Sequence, residues 1–115
     1  SPVQKTPFTG TVCGESVVGQ SFPPGAFSGA RGAAHEHPNG TRRTPAAGDY
    51  SIPAAYGIAN YNISSNSVMV TERAGGSPRI RVVEGAALSS VERRRMQNLV
   101  NSWMDGSCDP GKVSK

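Results

Sequence analysis

The sequence predicts a small α+β domain, in which an antiparallel sheet packs on one main C-terminal helix and a Cys13–Cys108 disulfide closes the fold. Three observations support this fold class. Alternating residues over 67–84 predict a strand hairpin, and a capping box with an apolar stripe predicts a helix over 89–105. The only two cysteines lie near opposite ends of the 115-residue chain. At this length we expect one domain with a modest core.

The N-terminal part of the chain carries weak secondary-structure signals. We expect residues 1–11 to be a flexible lead-in, 12–110 to form the single domain, and 111–115 to be a C-terminal tail. Residues 16–20 form a weak strand candidate. Pro23 at a helix start and the small residues after it predict a short helix within 23–34.

The middle of the chain is irregular in pattern. Residues 35–49 are polar and contain two prolines and an Asn-Gly pair, so a long surface loop is expected. Residues 50–61 contain apolar side chains, but Pro53 and Gly57 interrupt them. This pattern predicts an irregular strand at a sheet edge.

The strongest strand and helix signals follow. Residues 67–72 and 79–84 flank a glycine-rich turn, and the second run alternates apolar residues with arginines, as in a hairpin with one packed face. Ser89 and Glu92 then form a capping box, and Gly106 supplies a left-handed stop. The predicted apolar stripe of this helix consists of Met96, Leu99, Val100, Trp103 and Met104.

The two cysteines also indicate a compartment. An even count without a C-x-x-C motif favours a disulfide, and such bonds persist in oxidising compartments, so we expect a secreted, extracellular protein. The alternative is two buried thiols in a cytosolic protein. A start at Ser1 fits a chain whose signal peptide has been removed, and no apolar stretch is long enough to span a membrane. Asn39 and Asn62 begin N-glycosylation triplets.

The charge of the chain suits an anionic partner. Its net charge is +4, from twelve Lys and Arg against eight Asp and Glu residues. Three adjacent arginines near a helix N-terminus usually form a solvated helix face, but they oppose the helix dipole, a detail that points to a binding role. We expect a monomer that binds a host protein or RNA through a basic surface containing Arg42, Arg43, Arg79, Arg81, Arg93, Arg94 and Arg95. Alternatively, Arg42 and Arg43 bind the phosphates of a single-stranded nucleic acid whose bases stack on Tyr50, Tyr56 and Tyr61.

The histidines allow two chemical interpretations. A lone H-x-H at His35 and His37 lacks the third and fourth ligands of a zinc site, so no metal and no other cofactor is expected. Imidazole can also act in acid–base catalysis near neutral pH. Glu72, either histidine, and either Arg79 or Arg81 on the phosphate are the right chemical types for RNA cleavage, and the site we select consists of His37, Glu72 and Arg79. The alternative is that both histidines are surface residues of a polar loop.

The order of these features resembles the small secreted microbial guanyl-specific ribonucleases and the fungal effectors that share their fold. The matching features are Thr11-Val12-Cys13-Gly14, the segment 23–34, His37-Pro38-Asn39 and Cys108. In the enzymes a second catalytic histidine follows on a late strand, whereas this chain has no histidine after His37. It has instead the helix predicted over 89–105, which the enzymes lack. The resemblance therefore implies a fold that has lost catalysis and kept binding.

Together these observations predict a small secreted, non-catalytic binding protein, in the manner of a fungal virulence effector that is delivered into a host cell. The enzymatic alternative is a secreted ribonuclease or ribonuclease-type toxin that cleaves single-stranded RNA. A toxin domain cut from a larger bacterial protein is a third possibility.

Overall fold

The computed structural model describes residues 6–23 and 25–114. It begins with an antiparallel hairpin of β1 (Thr6–Val12) and β2 (Glu15–Ser21). The turn places Cys13 and Gly14 at φ 50° and 80°. Two consecutive positive φ values characterise a tight hairpin turn whose twist matches that of the strands.

The two ends of the described chain carry secondary structure that the sequence pattern does not indicate. From Thr6 onward the expected lead-in is a paired strand, while residues 1–5 of that prediction lie outside the described residues. The expected tail is also attached, because Ser114 forms an antiparallel bridge with Thr11. The Thr11 N–H donates to the Ser114 carbonyl at 2.7 Å, and the Ser114 N–H donates back at 2.9 Å.

A second sheet of four strands forms the centre of the molecule. Its order is β3 (Gly32–Glu36), β4 (Ala59–Ser64), β5 (Ser67–Ala74) and β6 (Ser77–Glu84). The hairpin predicted over 67–84 is confirmed as β5 and β6. The β3–β4 pair is parallel and the other two pairs are antiparallel. The α+β class is confirmed, but there are two sheets instead of one, and the larger is mixed.

The segments before β4 differ most from expectation. Turns over 25–29 and strand β3 replace the short helix predicted within 23–34. A 3₁₀ helix, Ala47–Tyr50, and helix α1 (Ser51–Tyr56) replace the first part of the predicted edge strand. Pro53 lies in the first turn of α1, where a missing N–H is tolerated. Strand β4 follows and lies inside the sheet.

The predicted C-terminal helix is confirmed as α2 (Ser90–Met104) with Ser89 as its N-cap. The Ser89 hydroxyl accepts from the Glu92 N–H at 3.1 Å, and the Glu92 carboxylate accepts from the Ser89 N–H at 2.9 Å. Gly106 follows the helix at φ 79°. Met96 and Trp103 are buried, whereas Met104 at the end of the predicted stripe is exposed.

The Cys13–Cys108 disulfide is confirmed, with the two Cα atoms 5.5 Å apart. It joins the turn of the β1–β2 hairpin to the segment after α2. Beside it, Trp103 stacks on Tyr50 with a ring separation of 4.9 Å and donates from Nε1 to the Ala47 carbonyl at 3.0 Å. Hairpin, 3₁₀ helix and α2 therefore share one core.

No helix in the described part of the chain combines the length and the apolar character needed to cross a membrane.

Candidate functional site

The four-stranded sheet separates the predicted site residues onto two faces. His35 Nδ1 lies 3.1 Å from the Asn60 side-chain oxygen, so both side chains occupy one face. Asn60 pairs with Thr71 across the sheet. Glu72 follows Thr71 and therefore points to the opposite face, because successive residues of a strand alternate.

Glu72 is held by two arginines on that opposite face. Its Oε2 accepts from Arg79 Nε at 2.7 Å and from Arg81 Nε at 2.8 Å. The hydrogen bond from Arg81 is the main cause that lowers the Glu72 pKa, and the bond from Arg79 adds to it. Glu72 is thus a paired carboxylate that is held in its ionised form.

The proposed ribonuclease residues are accordingly not assembled. Glu72 and Arg79 are in contact, but His37 lies with His35 on the other face, 3.0 Å between their Nε2 atoms. A base and an acid for 2′-hydroxyl attack must both reach one phosphodiester. Sheet alternation keeps these two groups apart.

His35 and His37 face a third residue that the sequence analysis did not select. Asp49 Oδ1 lies 3.5 Å from His35 Nε2, and Asp49 Oδ2 lies 3.9 Å from His37 Nε2. Within the described residues, these three form the one group of His, Cys, Asp and Glu side chains with the spacing to hold a metal ion. Asp49 belongs to the 3₁₀ helix, and no regular spacing from the histidines marks it in the sequence.

Arg43 has a structural position that was not expected of a partner-binding residue. Its guanidinium forms a two-pronged contact with Glu92, 3.0 Å from Nε and 2.9 Å from Nη2. It also donates to the Ser67 hydroxyl and to the carbonyls of Ala86 and Ala87. All three guanidinium nitrogens of Arg43 therefore donate within the chain, which leaves few donors for an external anion. Arg42 beside it is exposed.

The remaining arginines form two surfaces. Ile80 packs against the core that includes Leu99 of α2, so Arg79 and Arg81 project from the face of β6 that points away from α2. The three helix arginines lie on α2 itself. The continuous basic face expected from the sequence is therefore divided by the sheet.

On α2, the arginines differ in their pairing. Arg95 Nη2 lies 3.3 Å from Glu15 of β2, and Arg95 Nε is buried with no hydrogen-bond partner. Arg93 and Arg94 are exposed, and neither has an ion pair with another described residue. They are the free cations of this helix face within the described chain.

A groove of about 690 Å³ lies between α2 and the β1–β2 turn. Arg94 and Arg95 stand at its side, and Val91, one helical turn before them, is 78% exposed. None of the described residues that line this groove is aromatic. Its lining residues are Cys13, Glu15, Ala47, Ser90, Val91, Arg94, Arg95, Asn98, Leu99, Ser102, Ser107 and Cys108.

The tyrosines and the glycosylation triplets also have defined positions. Tyr50 is buried against Trp103, so it offers no free ring for stacking of bases. Tyr56 is exposed and contacts Phe27. Asn62 is only 1% exposed, which excludes a glycan there in the folded chain, whereas Asn39 lies in an exposed turn.

Comparison of the chain with protein-family models, with curated proteins and with solved structures found no match.

Proposed function

We propose that this chain is a secreted, non-catalytic binding protein whose α2 groove binds an acidic segment of a partner protein. The observation that carries the proposal is the groove itself, in which an unpaired arginine stands beside apolar surface. Secretion is part of the proposal. It is supported by the disulfide, a bond that persists outside the reducing cytosol.

The chemistry of the groove favours a mixed acidic and apolar ligand. Arg94 is exposed and unpaired within the described chain, so its charge is available to a carboxylate. Ala47 and Leu99 line the same groove, and Val91 exposes most of its side chain beside it. Arginine beside a small apolar surface is typical of the core of a protein–protein interface.

The same groove favours protein over RNA. Recognition of single-stranded RNA depends on bases that stack on aromatic rings, and the groove has no aromatic side chain within the described part of the chain. Glu15 is also part of the lining and repels phosphates that approach Arg95. A peptide can avoid this carboxylate by placing an apolar side chain there, whereas an RNA backbone carries a charge at every nucleotide.

The test compares two fluorescent probes on the oxidised protein, a short peptide of alternating Glu and Leu residues and a single-stranded RNA of equal charge. We expect saturable peptide binding by fluorescence anisotropy, weaker RNA binding, and at least about tenfold loss of peptide affinity in Arg94→Glu because a repulsive pair replaces an attractive one. Arg73→Glu is the matched control, since Arg73 is an exposed arginine of β5 that does not line the groove.

Three outcomes would count against the proposal. Equal loss in Arg73→Glu would indicate binding to net charge instead of to the groove. Tighter binding of RNA than of peptide would change the class of partner. Cleavage of the RNA that is abolished by His37→Ala would restore the ribonuclease alternative.

A further inference from the structure

The hydrogen bonds around His35 and His37 fix which ring nitrogens carry protons. His37 Nδ1 lies 2.7 Å from the Arg42 carbonyl oxygen, which can only accept, so Nδ1 is the protonated nitrogen. The Asn60 amide nitrogen donates to the Asp49 carbonyl at 2.9 Å, so the Asn60 oxygen faces His35. His35 Nδ1, 3.1 Å from that oxygen, is therefore also protonated.

In the neutral tautomer that these bonds select, each ring presents the Nε2 lone pair, and the two lone pairs face each other. The Nε2 atoms are 3.0 Å apart, and the Asp49 carboxylate is directed at the same space. Two lone pairs and a negative charge around one point repel one another unless a cation lies between them. The arrangement requires either a shared proton or a metal ion.

The distances to Asp49 favour the metal ion. A proton between the two rings forms one hydrogen bond and leaves Asp49 at 3.5 and 3.9 Å, beyond the N–H···O range of about 2.7–3.2 Å. Two ligand atoms that each lie ~2.0–2.2 Å from one Zn²⁺ can be up to ~4 Å apart. The Nε2–Nε2 distance of 3.0 Å falls within that limit, and so does the distance from each histidine to its nearer Asp49 oxygen, which is Oδ1 at 3.5 Å for His35 and Oδ2 at 3.9 Å for His37.

The outer contacts also match those of metal ligands. Histidine ligands characteristically donate their second ring N–H to a carbonyl or a carboxylate, which fixes the tautomer and the ring orientation. Here the Arg42 carbonyl accepts from His37 Nδ1, and the Asn60 side-chain oxygen accepts from His35 Nδ1. Asp49 Oδ2 accepts from the Ala46 N–H at 2.8 Å, which holds the carboxylate in place and leaves Oδ1 directed at His35.

From these contacts we propose that His35 Nε2, His37 Nε2 and the Asp49 carboxylate bind one divalent transition-metal ion, with zinc the ion that the ligand set suits. The set contains two imidazoles and one carboxylate, a combination found in zinc and non-haem iron sites. The proposal is independent of the α2 groove, since none of the three residues lines it.

Three protein ligands leave at least one coordination position for water or an external ligand. Open positions are characteristic of catalytic and ligand-binding zinc sites, whereas structural zinc sites have four protein ligands. The site is reachable, because the His35 side chain is 35% exposed. His37 also lines a groove of about 560 Å³.

The experiment uses the full chain with its disulfide intact, so that no thiolate competes for the ion. Bound metals are first removed with EDTA. Zinc is titrated by calorimetry, and cobalt by its visible absorption, which reports the coordination geometry. We expect one ion per chain and a rise in the thermal midpoint with zinc. Asp49→Asn and His37→Gln should each weaken binding at least about tenfold, since even the loss of an outer contact has that effect.

Asp105→Asn is the matched control, since Asp105 is an exposed aspartate outside the cluster, and its zinc affinity should equal that of the unchanged chain. If Asp49→Asn does not fold, as judged by circular dichroism, His35→Gln replaces it as the second variant. Absence of saturable zinc binding in the micromolar range would overturn the proposal and leave a shared proton. Unchanged zinc affinity in folded variants of the proposed ligand residues would also overturn it.

Discussion

At the scale of single residues, Arg43 illustrates how an arginine that looks available in the sequence becomes part of the framework. Its guanidinium connects the loop before the 3₁₀ helix to Glu92 in the first turn of α2. The Arg43 hydrogen bond is the main cause that lowers the Glu92 pKa to about 2, and the backbone N–H of Ser89 adds to it. The charge of Glu92 is thus coupled to folding.

This coupling predicts a loss of stability in acid. A carboxyl group whose pKa is lower in the folded than in the unfolded chain stabilises the fold above the unfolded pKa. That contribution is lost as pH falls from the ordinary value of 4.5 through the folded value of about 2. Allowing for solvent screening of a partly exposed pair, we expect about 1–2 kcal/mol from Glu92.

The measurement is urea unfolding of the unchanged chain and of Glu92→Gln at several pH values from 6 to about 2. Glutamine retains an acceptor for the Ser89 N–H but lacks the charge, so the stability difference between the two proteins should shrink as the pH falls through this window. Glu72, whose pKa is also lowered, titrates in both proteins and cancels. A difference that stays constant down to pH 2 would contradict the prediction.

The residue scale also shows what the sequence could not reveal about the candidate metal site. The H-x-H pair is visible in the sequence, but its third member, Asp49, lies on a 3₁₀ helix beyond a turn of irregular length. Its position depends on the Ala46 N–H and on the packing of Tyr50 against Trp103. Only the folded chain brings the carboxylate to the histidines.

At the scale of secondary-structure elements, the start of α2 is predicted correctly from a local signal alone, the capping box of Ser89 and Glu92. Its capping box satisfies two backbone donors that no intrahelical partner can reach. We expect Ser89→Ala to lower the free energy of unfolding by about 1 kcal/mol, because the Glu92 N–H loses its acceptor. The measurement is the shift of the urea midpoint at constant slope.

Ser90→Ala is the matched control for this substitution. Ser90 is the first residue of α2, is exposed, and has no side-chain hydrogen bond among the described contacts. Its loss should change stability by less than about 0.5 kcal/mol. Equal effects of the two substitutions would mean that the cap contributes nothing beyond helix propensity.

The elements that were predicted correctly share this local character. The alternation in β6 and the capping box of α2 are complete within a few residues, so the sequence contains the whole signal. Strand β1 has no such pattern, since Pro7 and Gly10 interrupt it, and it depends on pairing with β2 and Ser114. Helix α1 was missed because Pro53 was interpreted as a break, although it lies in the first helical turn.

At the scale of the whole molecule, the disulfide adds a covalent link between the β1–β2 hairpin and the end of α2, which already share one core. It spans a sequence separation of 95 residues and holds the β1–β2 turn against the end of α2. Cross-linking over such a distance lowers the conformational entropy of the unfolded chain, which stabilises the folded state by roughly 4–5 kcal/mol in the chain-entropy model. Small domains have a total stability of about 5–15 kcal/mol.

We therefore expect reduction to remove a large part of the stability of this domain. Urea unfolding with and without a thiol reductant should give a difference of roughly 4 kcal/mol, and a Cys13→Ala/Cys108→Ala double variant should match the reduced protein and not respond to reductant. The α2 groove is lined on one side by this disulfide, so reduction should also weaken binding of the acidic peptide. The metal cluster lies outside that lining, so zinc affinity, measured on the double alanine variant that has no thiolate to compete for the ion, should change less than peptide affinity while that variant remains folded. A stability difference below about 1 kcal/mol would mean that the shared core of Tyr50 and Trp103 holds the hairpin to α2 without the covalent bond.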